Sequence, residues 1–266
     1  MRVGFVPTMG ALHAGHVALV LEARRRAQFV VVSIFVNEAQ FGPGEDFARY
    51  PRDIEGDVLQ LERSGAHLLF APNKDGLYGP GDRTRVHVSE LADTLEGPRR
   101  PGHFDGVATV VTKFFAIVGP CVAVFGRKDY QQWVIVRRLV EDLKLPVEVV
   151  GHATIREGDG LAMSSRNRTL APADRERALS ISRGLDAALR RFEQGEREAR
   201  ELVRIASEPM EAAGLAIDYV EVSDPDSLAP VVDTAGPRVL LSVACRVGST
   251  RLIDNVVLGE DSPPLP

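Results

Sequence analysis

The side chains best suited to chemistry in this chain are two imidazoles, His13 and His16, within Pro7-Thr8-Met9-Gly10-Ala11-Leu12-His13-Ala14-Gly15-His16. Three residues apart at a helix start, they are expected on one face of the first turn, leaning towards its N-terminus. Unsatisfied backbone N–H groups and the positive end of the helix dipole gather there, which suits phosphate. Zinc is the competing ligand. No cysteine or acidic residue lies in the decapeptide, however, and Gly15 suits close approach of a ligand to the backbone. A chance pair of surface histidines is the plain alternative, so the context of the motif has to decide.

The elements around it must turn a strand into a helix. Residues 2–6 have strand composition, and Val17, Val20, Leu21 and Arg24 recur at helical spacing. Residues 29–36 form an apolar, largely β-branched run of the kind buried on both faces of a parallel sheet. Asn37 and Gln40 follow where that strand's carboxyl end should lie, the place where open α/β sheets bind ligands; ordinary loop hydrogen bonding is the alternative use of both amides. A helix is expected over 53–64 with Gly65 as its stop, then a strand over 67–70. Residues 73–83 read as a loop, and 84–88 alternate like a half-exposed strand outside the main sheet.

Further on, Arg99, Arg100 and His103 crowd a turn before an apolar helix over 107–118. They could grip an anion or form a solvated charge cluster. A strand over 121–125 delivers Gly126-Arg127-Lys128-Asp129-Tyr130-Gln131-Gln132 to a helix running to about Leu143. Lys128 would be a compact cation for phosphate, Asp129 an acceptor for ribose hydroxyls, and Gln132 falls on the face of Lys128; tertiary ion pairing competes for both charges. A strand over 147–155 leads into residues 156–167, where Ser164, Ser165 and Arg166 offer a polyphosphate grip or a plain helix-capping loop.

The remainder changes character. Ala178, Ile181, Leu185, Ala188 and Phe192 line one helix, Leu202, Ile205 and Met210 another, and strands are expected over 216–222, 239–247 and 251–258. These make a small α+β domain, followed by an acidic, proline-rich tail over 260–266 that reads as frayed. The 266 residues, 44% hydrophobic and 26% charged, suit a large globular core, and a formal charge of -5 argues against general binding to nucleic acid or membrane surfaces. Cys121 and Cys245 read as reduced core thiols. The apolar runs over 29–36 and 114–125 are too short or too broken to span a bilayer, and no export signal opens the chain, which fits a cytoplasmic setting. A strand starting at residue 2 also suggests that the natural chain begins earlier.

With the decapeptide, Phe35-Val-Asn-Glu-Ala-Gln-Phe41, Arg100-Pro-Gly-His-Phe104, Phe125-Gly-Arg-Lys-Asp-Tyr-Gln-Gln132 and Gly160-Leu-Ala-Met-Ser-Ser-Arg-Asn167 in one order, the chain resembles the pantothenate synthetase family over nearly its whole length. The resemblance implies a Rossmann-like α/β parallel sheet of the HxGH nucleotidyltransferase superfamily over 1–154, binding ATP and pantoate. A smaller α+β C-terminal domain over 155–266 would carry the Ser-Ser-Arg loop. It implies ligation of pantoate to β-alanine through a pantoyl adenylate, with release of AMP and pyrophosphate, and a requirement for magnesium. Residue by residue, it implies that His13 and His16 contact ATP phosphates and stabilise the adenylation transition state. Lys128, Ser164, Ser165 and Arg166 would hold the triphosphate and leaving pyrophosphate, and Gly10, Gly126, Asp129, Ile155 and Met163 would line the nucleotide site. Gln40 and Gln132 would bind pantoate beside Met9, Asp57 and Gln60 would reach magnesium, and Arg100 and Glu96 would organise loops. A homodimer is implied as well. Glu38, Gly56 and Arg127 depart from the family's usual proline, acidic residue and glutamate. The competing readings are a nucleotidyltransferase that leaves AMP on a phosphate ester, a non-catalytic nucleotide sensor, and a tRNA-acylating enzyme, the last disfavoured by the acidic charge.

Overall fold

A computed structural model of the chain describes residues 1–265. The chain divides into two compact units, Met1–His152 and Ala153–Pro266. In the first unit the order is β1 (Val3–Thr8), α1 (Ala14–Arg26), β2 (Phe29–Ile34), α2 (Ile54–Ser64), β3 (Leu68–Phe70), a four-residue α3 (Lys74–Leu77), α4 (His103–Val118), β4 (Cys121–Gly126), α5 (Tyr130–Asp142) and β5 (Val147–His152). The strands form one parallel sheet ordered β3-β2-β1-β4-β5. Successive side chains in a strand point to opposite faces, and the buried residues obey that period. Phe5, Val31, Ala123 and Phe125 join Val107, Phe114, Val136 and Leu139 of α4 and α5 in one core. Val6, Val30, Val32 and Val124 join Leu12, Val20, Ala23 and Leu61 on the side of α1 and α2 in another. Helices therefore cover both faces, which is why these strands are apolar throughout.

Chain order and spatial order reverse between β1 and β4: from β1 the chain first builds outward through β2 and β3, then returns to place β4 on the other side. That reversal makes the carboxyl ends of β1 and β4 flank a switch-point crevice, the place where such sheets bind ligands. The turn after β1 carries His13 and His16, and the turn after β4 carries Lys128 and Asp129.

In the second unit, the long α6 (Pro172–Glu193) and α7 (Ala199–Ala212) pack on an antiparallel sheet of β6 (Ala216–Ser223), β7 (Val239–Val247) and β8 (Thr250–Leu258). Its core joins Ile181, Leu185, Leu189 and Leu202 of the helices to Leu241, Val243 and Cys245 of β7 and Leu252 and Val256 of β8. Cys121 and Cys245 are both buried and free, and burial raises their thiols to about 11 and about 12 respectively. Among the described residues, no helix is long and apolar enough to cross a membrane.

Some expectations fail, among them the strand over 147–155, which ends at His152. Residues 84–88 form no strand; Val86 instead donates its N–H to Thr109 Oγ1 of α4 (2.9 Å), and Val86 and Val88 pack on the core as an irregular strap. Their alternation came from apolar residues meeting a helix, not from a sheet ladder. The tail is not frayed over its described part: Asp261 accepts from Val257 N (2.8 Å), Pro264 is buried, and the Leu265 side chain lies against Gly160. Pro266 lies outside the described residues. Helix α4 also starts at His103, four residues before the expected 107, because Gly102 adopts a left-handed conformation (φ 78°) that turns the chain into it.

Candidate active site

The turn after β1 is built from two consecutive left-handed residues, Gly10 (φ 80°) and Ala11 (φ 52°). A side chain at Gly10 would meet Asp57 Oδ2 and Ile34, so only glycine fits there; Ala11 bears mild backbone strain. The conformation is held from outside by Asp57, which is 2% exposed: its Oδ2 accepts from Ala11 N (2.9 Å) and its Oδ1 from Leu12 N (2.7 Å). Gln60, one helical turn on, donates its amide to Leu12 O (3.0 Å). Thr8 Oγ1 bonds Ser33 O (2.8 Å) and accepts from Gly10 N (3.2 Å), tying the turn back to β2. The oxygens of Asp57 are thus committed to backbone N–H groups, and the described residues contain no group of three His, Cys, Asp or Glu able to hold a metal ion. A carboxylate oxygen keeps a further lone pair beyond one such bond, and magnesium is usually held by one or two carboxylates together with substrate phosphates, so these bonds do not remove Asp57 and Gln60 from a cation carried by a phosphate.

His13 is not inside the first helical turn. It is the N-cap, with extended backbone (φ -141°, ψ 175°), and Ala14 is the first helical residue. Its Nδ1 accepts from Gly15 N (3.2 Å), while its own N–H donates to His16 Nδ1 (3.3 Å). This is a capping box made of imidazoles, with ring centroids 4.0 Å apart. A ring nitrogen that accepts cannot carry the proton, so each imidazole bears its proton on Nε2. Both rings are only partly buried and carry their N–H donors at a helix N-terminus.

Beside this turn, Asn37 and Gln40 follow β2 in a short 3-10 turn. Both are buried, Asn37 to 1% exposure. Asn37 Nδ2 donates to Gln40 Oε1 and to Gly106 O (both 3.1 Å), and Gln40 Nε2 reaches Met9 Sδ (3.2 Å). Met9 and Gln40, implied for one pocket, are therefore in contact. After β4, Lys128 and Asp129 lie in a 3-10 turn, 3.8 Å apart, with Lys128 the more buried. A side chain at Gly126 would meet nothing within 4 Å, so the protein's own packing does not require glycine there. Gln132 is half-buried in the first turn of α5.

The paired glutamines after β4 divide their work. Gln131, which sequence reasoning passed over, is 5% exposed; it accepts from Glu96 N (3.0 Å) and donates to Leu91 O and Thr94 O (both 2.8 Å), anchoring the loop before α4. Arg100 forms a two-pronged pair with Glu45 (2.7 and 2.8 Å), so it organises a loop as expected, through a partner the sequence did not reveal. Among the departures, Glu38 makes an exposed pair with Lys74 (2.6 Å). Gly56 sits where a side chain would run into the capping carboxylate of Asp53, so an acidic residue would face like charge there.

The remaining expected residues belong to the second unit. Met163 N bonds Ile155 O (2.9 Å), closing a narrow turn through Arg156 and Ala162. Arg156 anchors that turn with a two-pronged pair to Asp254 (2.7 and 3.1 Å), and Asn167 donates to Glu157 (2.7 Å) and Ala162 O (3.0 Å). Ser164 caps the 3-10 turn Ser165–Thr169 by accepting from Arg166 N (3.3 Å). The capping use expected of this loop is real, and it fixes the backbone from which Ser165 and Arg166 project.

Residues 1–257 match the family model described as Pantoate-beta-alanine ligase. The pantothenate synthetase of Myxococcus xanthus is 52% identical over 260 residues, covering 97% of this chain and 89% of the relative. That of Citrifermentans bemidjiense is 50% identical over 261 residues, covering 98% and 93%. The crystal structure of the Thermus thermophilus pantothenate synthetase superposes with a TM-score of 0.93 at 48% identity, covering 100% of this chain and 94% of that one. The pantoate-beta-alanine ligase of Francisella tularensis, complexed with beta-gamma ATP and beta-alanine, gives a TM-score of 0.78 at 33% identity, covering 98% and 91%. With its parallel sheet, its imidazole-capped turn and this similarity along almost its full length, the chain belongs to the pantoate-beta-alanine ligase family.

Proposed function

We propose that this protein joins pantoate to β-alanine at the expense of ATP, releasing AMP and pyrophosphate. The observation that carries the reading is the imidazole capping box, which puts the ring protons of both His13 and His16 on Nε2, at a helix N-terminus on the switch-point edge of the sheet. In the first step a pantoate carboxylate oxygen attacks the α-phosphorus, and the bond to the pyrophosphate oxygen breaks. Negative charge grows on the phosphoryl oxygens and the leaving group, and donors already fixed in place stabilise it without reorganising. Lys128 supplies a compact positive charge to the phosphates, and Ser164, Ser165 and Arg166 grip the triphosphate and the departing pyrophosphate. In the second step the β-alanine amine attacks the acyl carbon of the adenylate, AMP leaves with the bonding pair, and the amine loses a proton to solvent or product.

Pantoate is already ionised at neutral pH, so no general base is needed for adenylation; positioning carries that step. Gln40, held by Asn37 and touching Met9, and Gln132 orient the acid. Gly10, Gly126, Asp129, Ile155 and Met163 line the nucleotide site, and the open space at Gly126 leaves the backbone accessible to ribose. Asp57 and Gln60, besides bracing the turn, would reach magnesium carried by the ATP phosphates. The Rossmann-like domain expected over 1–154 then binds ATP and pantoate, the domain expected over 155–266 supplies the Ser-Ser-Arg loop, and the enzyme works in the cytoplasm as a homodimer. An assay of AMP release with ATP, pantoate and β-alanine, leaving out each in turn, tests the central claim. Free AMP formed only when all three are present is expected; AMP retained on the product, or release without β-alanine, overturns the ligase reading. Sedimentation at micromolar concentration tests the dimer.

A further inference from the structure

The turn that opens α4 contains a buried histidine for which adenylation has no direct use. His103 is 8% exposed. One ring nitrogen, Nε2, lies 3.0 Å from Arg100 Nη1, and the other, Nδ1, lies 2.7 Å from the main-chain oxygen of Gln40. A guanidinium only donates, so Nε2 must accept. The ring proton is thereby placed on Nδ1, which donates to the Gln40 carbonyl. Behind it, Arg100 Nε and Nη2 bond the two carboxylate oxygens of Glu45 (2.8 and 2.7 Å). A continuous chain of contacts thus runs from Glu45 through Arg100 and His103 to the backbone of residue 40.

The same backbone is held from a second side. A side chain on Gly106 would collide with Ala39 O and Gln40 N, so glycine lets α4 press directly against this turn. Gly106 O also accepts from Asn37 Nδ2, the amide that holds Gln40 Oε1. Gln40 therefore has its carbonyl fixed by His103 and its side chain fixed by Asn37. The buried imidazole is pushed down from 6.5 to about 4, first by burial and then by the Arg100 charge, so it stays uncharged and keeps both bonds across neutral pH.

We propose that His103 is a positioning residue for the acid substrate, setting the backbone of residue 40 so that the Gln40 amide meets pantoate in the reactive pose. The proposal rests on the reading of Gln40 as a pantoate contact. It does not make His103 a catalytic group, because neither of its nitrogens is left to reach a substrate.

The test compares His103→Leu, His103→Asn and Gln40→Leu in the AMP-release assay, with KM for pantoate and for ATP measured separately. Misplacing a substrate-orienting group by about 1 Å costs on the order of 100-fold, so His103→Leu should raise KM for pantoate about tenfold or more while KM for ATP moves less than about twofold. His103→Asn keeps an N–H donor for the Gln40 carbonyl and should recover pantoate KM to within about threefold of the parent. Equal rises in both KM values, or no recovery in His103→Asn, overturns the proposal. If His103→Leu does not fold, Glu45→Gln carries the test: it loosens the grip on Arg100 and should raise pantoate KM alone by about two- to fivefold. An unselective rise, or none, in Glu45→Gln then overturns it. Gln40→Leu separates the two ideas. If it leaves pantoate KM unchanged, the underlying reading of Gln40 fails; if it raises pantoate KM and the His103 variants do not, only the positioning role fails.

Discussion

The turns that open α1 and α4 both bring histidine to a helix start, and they use it in opposite ways. At the first, His13 and His16 each accept a backbone N–H on Nδ1 and remain partly exposed, so the ring proton sits on Nε2, away from the cap. At the second, His103 is buried and both its nitrogens are taken by the protein, one by Arg100 and one by the Gln40 carbonyl. The ring chemistry is the same. What differs is whether the backbone meets Nδ1 as an acceptor or as a donor, and how deeply the ring is buried, and that separates an imidazole suited to a ligand from one that holds other residues in place. The practical lesson is that burial and tautomer together sort histidines in a way that motif membership cannot.

Breaking the first turn should have the largest effect. His16→Ala removes a preorganised donor and should slow pantoate-dependent pyrophosphate exchange about 100- to 1000-fold. The same variant should lose at most about 1 kcal/mol of stability, the usual worth of a capping interaction. Exchange near the parental rate would erase the distinction between the two turns, and so would a collapse of folding in His16→Ala.

Next in size is the brace beneath the first turn. Asp57→Ala strands two buried backbone N–H groups and should cost about 2–4 kcal/mol in urea unfolding. If Asp57 served chiefly as a metal ligand, the variant would instead keep its stability and need more magnesium for half-maximal activity. Titrating both quantities in one preparation distinguishes the roles.

The second turn has a signature in pH. His103 falls from 6.5 to about 4 in the folded protein, with burial as the main cause and Arg100 adding to it against Glu45 and Glu96. The unfolded chain then binds a proton between those values that the folded one refuses. Its contribution to stability is complete above about pH 6.5, shrinks as pH falls, and is gone below about pH 4; the whole amounts to no more than about 3 kcal/mol. Unfolding free energy measured from pH 7 to pH 4 should decline less steeply in His103→Asn than in the parent. Identical slopes would mean that the ring is not held neutral.

The smallest effect is expected at Glu38, one of the departures from the family's usual residues. Its pair with Lys74 is exposed on both sides, so Glu38→Gln should change stability by less than about 0.5 kcal/mol and leave both KM values alone. A larger change in pantoate KM would draw this side of the turn into the site.

Much of the architecture could be read from residue order. Apolar β-branched runs at 29–36 and 121–125 had to be strands covered on both faces, and Gly65 had to end a helix because its left-handed conformation (φ 75°) suits no other residue as well. The spacing of Ala178, Ile181 and Leu185 likewise required α6. These features depend on neighbours in sequence, so local pattern suffices. Residues 84–88 misled for the same reason: alternation reports that every second residue is buried, and a helix such as α4 can do the burying as well as a sheet.

For the site, residue type and position at strand ends singled out His13, His16, Lys128 and the Ser164-Ser165-Arg166 loop for phosphate, and the family resemblance added Gln40 as a contact for the acid. Only the tertiary structure decided which polar groups around them are already spoken for. It assigned Asp57 to the N–H groups of Ala11 and Leu12, paired Arg100 with Glu45, gave Gln131 to the loop before α4, and turned His103 inward to Gln40. Each of these contacts joins segments distant in the chain, and hydrogen-bond partners at such separations leave no local periodicity or composition to read. A sequence lists the donors and acceptors; the fold determines which of them the protein itself consumes.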